Sequence, residues 1–396
     1  MGVSRKLDSP YLYYSKIKTM SSQKKIAIVY DWIDKWGGVE RVLLTLHEMF
    51  PEAIFYTSYF DQETAPWAKD LKIKTSFLQK FPNIIKKNRI LSFPFYPFAF
   101  ESFDFSNYDL VISVTSSFGK SIITKPGTRH ICYLLTPTRY LWSYGKDYLS
   151  NKLISYLVSN YIDQIKKWDF VSAQRPDKII SISETVRNRC LKYYKRDSEV
   201  VYPGFDTKYW QVIKSKIINS KFQINSKLKI LNSKFFLVVS RLEPYKKVDL
   251  VVQSFNRLKY NLIIIGGGTE ERSLKRMAGK NIIFLSKLSD VELGNFYANA
   301  QALIMPQDED FGYVSLEAQF FNCPVIAYKK GGATETIING KTGIFFNRQG
   351  EIDLRRAIER FNKIKYNLEN KIRELGMKNI ERFSKKKFID NFTKIL

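Results

Sequence analysis

Short apolar runs, each followed by a helical amphipathic pattern, recur along this chain in two successive sets, and no other feature limits the fold as much. "KIAIVYDW" has the continuous hydrophobicity of a strand covered on both faces. The pair Gly37 and Gly38 then makes a loop, Val39 to Phe50 carries apolar residues at helical spacing, and "AIFYTSYF" returns to a strand pattern. Further strand-like runs are "DLVISVTS", "HICYLLT", "DKIISIS" and "EVVYPG". The order restarts with "FFLVVSRL" (strand), "DLVVQSFNRL" (helix), "NLIIIGGG" and "NIIFLSKL" (strands), "VELGNFYANA" (helix), then "QALIMP" and "PVIAY" (strands). Strands alternating with helices make parallel sheets covered on both faces. Two such sets predict an α/β chain of two Rossmann-like, doubly wound domains that face each other, with ligands outside the carboxyl ends of the strands.

A chain of 396 residues is long enough for two cores. The expected boundaries are a basic tail over 1–24, a first domain over 25–205 and a linker over 206–234. A second domain over 235–375 and a basic closing helix over 376–396 follow. In the linker the triplet Asn-Ser-Lys begins at 219, 225 and 232, low complexity that implies no chemistry. Met20, just before the first strand, is an alternative start. No uncharged apolar run is long enough to cross a bilayer, and no secretory signal is visible. Cys132, Cys190 and Cys323 lack metal-ligand spacing and read as buried thiols of a reducing compartment, so a cytoplasmic chain is expected.

The formal charge of +26 favours anionic partners: nucleic acid, anionic lipid or phosphorylated substrates. A Lys-rich solvated surface would give the same number. Residues 71–100 concentrate the signal, with six Lys or Arg, seven aromatics and no acid. That composition suits an anionic membrane surface, and equally a set of core helices with a solvated basic face. No RNP-like pattern of stacking aromatics is present, so no nucleic-acid partner is expected. No Asp-x-Asp metal motif stands at a strand end, and no metal or cofactor is expected.

Two places carry candidate chemistry. "QALIMPQDEDFGYVSLEA" reads as a strand ending near Met305, a loop through Gly312 and a helix from about Val314. Glu309 then lies in a loop at a strand's carboxyl end and Glu317 about one turn into the helix. Gly312 permits close approach of a ligand, and the first helical N–H groups, near Tyr313 and Val314, suit a phosphate. Taken alone, Glu317 could merely answer the helix dipole and Glu309 could be solvated. "VVSRLEPYKK" puts Arg241 and Lys246 after the first strand of the second set, where together they could neutralise a diphosphate.

Taken together, "SRLEPYKKVDLVVQSF", "EDFGYVSLEA" and "PVIAYKKGGATETIINGKTGIFF" resemble the nucleotide-sugar-binding half of family 4 retaining glycosyltransferases with the GT-B fold. Many members of this large family, also called group 1, are mannosyltransferases. "YDWIDKWGGVERVLLTL", "YLLTPTRYLW" and "SISETVRNRCLKYYKRDSEVVYPGFD" resemble its acceptor half. The resemblance runs from about residue 25 to the end, sparing only the linker. It implies an active site in the cleft between the domains. Glu309 and Glu317 match the family's Glu-x7-Glu motif: Glu317 would take the donor's ribose hydroxyls, and Glu309 would meet the transferred sugar. Arg241 and Lys246, with Lys247 a rival for the lysine role, would hold the diphosphate. Gly37 and Gly38 would approach it from the other domain, although a lone Gly-Gly is more often a turn.

The implied activity is metal-independent transfer of a hexose, mannose from GDP-mannose by analogy. The acceptor would be a lipid-linked saccharide or polysaccharide of the cell envelope, at the inner face of the plasma membrane. The chain departs from the family at Leu135, where relatives carry a histidine before Thr-Pro that contacts the donor sugar. His130 cannot replace it, lying five residues, about 16 Å, along a strand and on its opposite face. His47 falls in a helical pattern and reads as structural. Leu135 keeps two rivals open: a GT-B nucleotide-sugar epimerase, and a non-catalytic nucleotide-sugar or nucleic-acid-binding protein. "NLIIIGGGTEER" is not a dinucleotide fingerprint, because Glu271 stands where the third glycine belongs.

Overall fold

The computed structural model describes residues 24–142, 152–219 and 234–396, and the chain divides into two compact units. One comprises the residues up to Gly204 together with Lys386–Leu396, and the other runs from Phe205 to Lys385. The expected tail, but for its last residue, and the core of the expected linker lie outside the described residues.

The first unit is built on β1 (Ile26–Tyr30), α1 (Gly38–Met49), β2 (Ile54–Thr57), β3 (Lys72–Thr75), β4 (Leu110–Thr115) and β5 (Arg129–Leu134). It continues with α2 (Lys152–Ser172), β6 (Lys178–Ser181), α3 (Glu184–Tyr194) and β7 (Glu199–Val200). Its seven strands are ordered β3-β2-β1-β4-β5-β6-β7, and every pairing is parallel. Strands β1 and β4 are buried at every residue, which is why they read as unbroken apolar runs. Strand β3 was not foreseen. Its "KIKT" pattern is that of an exposed edge guarded by lysines.

The second unit opens with α4 (Thr207–Asn219), followed by β8 (Phe235–Val239), α5 (Val248–Leu258), β9 (Asn261–Ile265), α6 (Glu271–Met277) and β10 (Ile282–Leu285). Then come α7 (Asp290–Asn299), β11 (Leu303–Met305), α8 (Tyr313–Phe320), β12 (Val325–Tyr328), β13 (Gly343–Phe346) and α9 (Glu351–Glu381). The sheet order is β10-β9-β8-β11-β12-β13, again all parallel. Both sheets therefore follow the doubly wound order 3-2-1-4-5-6 of the dinucleotide-binding type.

Two expected boundaries are corrected. The linker does not begin at 206: α4 is a helix of the second unit, with Trp210 and Ile213 buried and the Trp210 ring stacked on Phe205. The closing segment is not one helix but the end of α9 and then α10 (Lys385–Ile395). From Lys386 it belongs to the first unit, where Phe388 and Phe392 pack edgewise on Tyr133 of β5. Its amphipathic "FIDNF" pattern has an apolar face to bury, and β5 supplies the surface.

Residues 71–100 form β3 and a series of short helical turns. Most of the cations are engaged locally. Lys72 pairs with Glu52, Lys87 with Asp61, and Arg89 with Asp34, with its guanidinium also over the Trp32 ring. Apolar side chains of the same stretch are left in solvent: Ile84 is 73% exposed, Ile90 81% and Phe98 65%. Among the described residues no helix is long and apolar enough to cross a membrane.

The three cysteines are buried and free, and burial pushes the Cys132 and Cys323 thiols up to about 12 and that of Cys190 up to about 11. His130 is fully buried, with Nε2 at 2.8 Å from Ser113 Oγ. Desolvation depresses its imidazole to about 3, opposed by Asp177 and assisted by Arg196 and Arg175. The unfolded imidazole takes its proton near pH 6.5 while the folded one stays neutral. Its contribution to stability is therefore full above pH 6.5 and is lost as pH falls toward 3. Between pH 6.5 and 5 the wild type should lose roughly 2 kcal/mol more unfolding free energy than His130→Asn, measured by urea denaturation. Identical pH slopes for the two proteins would contradict this.

Candidate functional site

In a doubly wound sheet the loops leaving the two central strands turn to opposite faces and open a crevice at the carboxyl edge. In the second unit those strands are β8 and β11, so the loops in question are residues 240–247 and 306–312. These loops hold the expected residues. Lys246 ends a 3-10 turn over Pro244–Lys246, and its ammonium forms an ion pair with the Glu309 carboxylate from the other loop. Gln307 donates its amide N–H to the same carboxylate oxygen at 3.0 Å. The Lys246 Nζ also sits 5.2 Å from the centre of the Tyr245 ring, and Arg241 donates to the Tyr245 hydroxyl at 2.7 Å. Arg241 is exposed, whereas Lys246 is only 7% exposed. The crevice thus brings one accessible guanidinium, one enclosed ammonium and one carboxylate together.

Backbone packing sets the two loops. Gly266, directly after β9, has φ +147°, and a Cβ there would lie 1.9 Å from the Ser240 carbonyl oxygen. Its lack of a side chain lets the Arg241 loop run against the end of β9, where Ser240 N–H donates to Ile265 O. Gly268 likewise lies against the Leu242 backbone, whose carbonyl oxygen a Cβ would meet at 2.4 Å, so the first and third glycines of the run serve this packing. Gly331, with φ +70°, does the same for the second loop, since a Cβ there would meet Glu309 O at 2.3 Å. The next residue, Gly332, donates its N–H to Glu309 O at 2.7 Å.

The two rival lysines differ in position. Lys246 reaches Glu309, whereas Lys247 takes the left-handed conformation, φ 53°, ahead of α5. Gly312, with φ +88°, turns the chain into α8, so that Tyr313 and Val314 are its first residues. Glu317 lies in the second turn of α8 and is 5% exposed, with the Tyr297 hydroxyl donating to Oε2 at 2.9 Å. Gln307, Tyr245 and Tyr297 were missed by sequence reasoning. None has a signal beyond proximity to a strand end or a helix pattern.

In the first unit Gly37 and Gly38 mark the start of α1. Their visible neighbour is Glu40, which is buried, accepts from Tyr30 OH at 3.3 Å and is pushed to a raised pKa by desolvation. A Cβ on Gly37 would come within 3.1 Å of that carboxylate, so the glycine makes room for it. Asp31, at the carboxyl end of β1, reaches across to the loop after β4. Its carboxylate accepts from Thr115 Oγ1 (2.7 Å), from Ser116 N–H (2.8 Å) and Oγ (3.3 Å), and from the Phe118 (3.0 Å) and Gly119 (2.8 Å) N–H groups. Leu135 is buried after β5, and His47 lies edge-on to Phe55 in α1 as a packing residue. Among the described residues no three His, Cys, Asp or Glu side chains gather as a metal ion would need.

The family comparisons agree with this architecture. Residues 219–379 match the model for glycosyl transferases group 1, and residues 36–209 match that for glycosyltransferase family 4. The capsular polysaccharide biosynthesis glycosyltransferase CapM of Staphylococcus aureus is 30% identical over 206 residues, 47% of this chain and 51% of that protein. The human alpha-1,3/1,6-mannosyltransferase ALG2 is 29% identical over 191 residues, 42% of this chain and 44% of its own. The match therefore spans about half the length of these curated relatives. Among solved structures, HepE of Anabaena in complex with UDP superposes with a TM-score of 0.68 at 17% identity, covering 94% of this chain and 99% of that one. The fold is the two-domain α/β GT-B fold, and the chain belongs to the group 1 glycosyltransferases.

Proposed function

We propose that this chain transfers a hexose from a nucleotide sugar to a glycan acceptor, with mannose from GDP-mannose as the donor group. The observation that carries this is the pairing of Lys246 with Glu309 across the carboxyl edge of β8 and β11, with Arg241 exposed beside it. Mannose is favoured because ALG2 is named a mannosyltransferase, while HepE was crystallised with UDP, which makes a UDP-sugar the competing donor. The acceptor is a lipid-linked saccharide or growing polysaccharide of the cell envelope, as the name of CapM suggests.

The chemistry follows from where charge grows. The bond between the anomeric carbon and the phosphate oxygen breaks, leaving an oxocarbenium-like sugar and a nucleoside diphosphate. Arg241 and Lys246 stabilise that diphosphate, an effect typically worth several kcal/mol for fixed groups in a dry site. Backbone N–H groups at the start of α8, Tyr313 and Val314 after Gly312, take phosphate oxygens. Glu309 orients the sugar through its hydroxyls, and Glu317 takes the ribose. The acceptor oxygen attacks on the leaving-group face, so the anomeric configuration is retained, and its proton passes to the departing phosphate. Neither a metal ion nor a cofactor takes part. Lys247 serves the backbone turn instead of the phosphates.

The exposed Ile84, Ile90 and Phe98 support docking of the first unit on the cytoplasmic face of an anionic membrane, where a lipid-linked acceptor would be presented. The ion pairing of half the cations in that stretch, Lys72, Lys87 and Arg89, shifts the emphasis from charge to apolar insertion.

Three outcomes are expected. Arg241→Ala and Lys246→Met should each weaken binding of GDP or UDP, whichever the wild type prefers, by at least tenfold in calorimetry. Lys247→Gly should leave affinity within twofold and raise stability by about 1 kcal/mol by relieving a left-handed residue. Equal affinity of Arg241→Ala and wild type would defeat the assignment, and sugar released from the donor without an acceptor-dependent product would favour the epimerase. Third, the protein should sediment with phosphatidylglycerol vesicles at low salt. Replacing Ile84, Ile90 and Phe98 by Ser should cut the bound fraction at least fivefold, and no sedimentation at any salt would refute docking.

A further inference from the structure

Glu317 is held almost out of water in the second turn of α8, and a polar group so buried needs hydrogen-bond partners. Tyr297 supplies one of them. Its hydroxyl donates to Glu317 Oε2 at 2.9 Å, and its ring is fully buried in α7. The ring lies nearly parallel to Phe321, with 6.1 Å between centroids and 10° between planes. Phe321 is itself wedged against α7, since a Cβ on Gly294 would come within 2.8 Å of its ring. The phenol therefore has little freedom. Its oxygen is fixed by the packing of two helices, and the carboxylate is fixed by the phenol.

We propose that Tyr297 is a positioning residue that sets the direction in which Glu317 accepts hydrogen bonds from the donor's ribose. This rests on the proposed ribose role of Glu317. A hydrogen bond to a carboxylate has strength only near its lone-pair directions, and a long side chain free to rotate would spend its bonding on whatever donor is nearest. With Oε2 committed to Tyr297, the rotamer and plane of the carboxylate are settled before the nucleotide arrives. Tyr297 touches no reacting atom in this scheme. Its influence is on ribose recognition alone, so it alters donor affinity and leaves the bond-breaking machinery of Arg241, Lys246 and Glu309 intact.

The test compares ribonucleotides with their 2′-deoxy forms, using GDP against dGDP and UDP against dUDP in calorimetry. A ribose hydroxyl donating to a well-aimed carboxylate gives the wild type a preference for the ribonucleotide of about tenfold or more. Tyr297→Phe removes one oxygen and keeps the ring; it should reduce that preference below threefold while affinity for the deoxy form stays within twofold of wild type. In turnover, KM for the nucleotide sugar should rise by a similar factor with kcat little changed. Binding of the deoxy nucleotide also reports that the variant is folded. Phe321→Leu, which loosens the ring stack but leaves the hydroxyl and the carboxylate, provides a second variant and should show a smaller loss of the same preference. Glu317→Gln separates the two levels of inference. If it erases the preference and Tyr297→Phe does not, Tyr297 is only a packing residue and the proposal fails while the ribose role stands. If Glu317→Gln leaves the preference intact, the ribose role is wrong and the proposal goes with it.

Discussion

The ion pair between Lys246 and Glu309 is the interaction on which the candidate site depends. It joins two loops that leave neighbouring strands, β8 and β11, and it is mostly enclosed by protein. Withdrawing either charge would strand the other in a poor solvent, which typically costs about 3–5 kcal/mol. The pair therefore holds both loops at one separation. It also balances the site electrically before any ligand is present, so that under the proposed function exposed Arg241 would be the group an incoming diphosphate meets first. A diphosphate arriving there would compete with Glu309 for the ammonium. The carboxylate displaced from lysine would then be free to turn to hydroxyls of the attached sugar. A single salt bridge can in this way couple capture of the phosphates to orientation of the group being transferred.

The first unit has the same strand order and fills the same place differently. Where the second unit sets a cation against an acid, the first has Asp31 after β1 reaching the loop after β4. There its carboxylate takes five hydrogen bonds from hydroxyl and backbone donors. Those donors are the kind of N–H cluster that could otherwise face an anion. Supplying the anion from within makes that crevice a fixed structural joint. Two sheets of one topology have thus been given different tasks by the residue at the first strand's carboxyl end, aspartate in one and the approach to Arg241 and Lys246 in the other. The expected contribution of Gly37 and Gly38 has to be set against this. Their clearest local use is to leave room for the buried carboxylate of Glu40.

Much of the fold was legible because fully buried parallel strands leave an unmistakable trace. "LVISVT" and "IAIVY" are continuous apolar runs since both faces are covered by helices. Strand β3 escaped because an edge strand with alternate lysines looks like a loop. Helix α4 runs straight into the low-complexity segment, whose repeated Asn-Ser-Lys masks the Trp210–Ile213 spacing that buries one face. The charged candidates Arg241, Lys246, Glu309 and Glu317 stood out from their places after strands and in a familiar motif. Their supports could not. Gln307, Tyr245 and Tyr297 are uncharged, and nothing local to them says which carboxylate or cation they will meet. The run "GGG" was visible, but the reason for its first and last members, the close passage of the Ser240 and Leu242 backbone, is a contact between separate parts of the chain.

The motif "TPTRYLW" illustrates how a resemblance and a physical role can diverge. By family likeness it borders the donor sugar, yet two of its side chains serve a buried polar centre. Thr138 donates to Asp169 at 2.9 Å, and the Trp142 indole N–H donates to the other carboxylate oxygen at 2.7 Å. Tyr194 OH adds a third bond at 2.9 Å, and Lys120 closes the centre with an ion pair at 2.6 Å. A carboxylate and an ammonium with no access to water are tolerable only when their remaining bonding capacity is met. Here four residues from three separate parts of the chain meet that of Asp169. Such a requirement would preserve threonine and tryptophan in this stretch whether or not a sugar lies nearby. The same stretch carries Leu135, an apolar residue where a sugar contact was expected. Matching letters on either side of it therefore testify to the scaffold, and under the proposed function a sugar preference would be sought in the groups around Glu309.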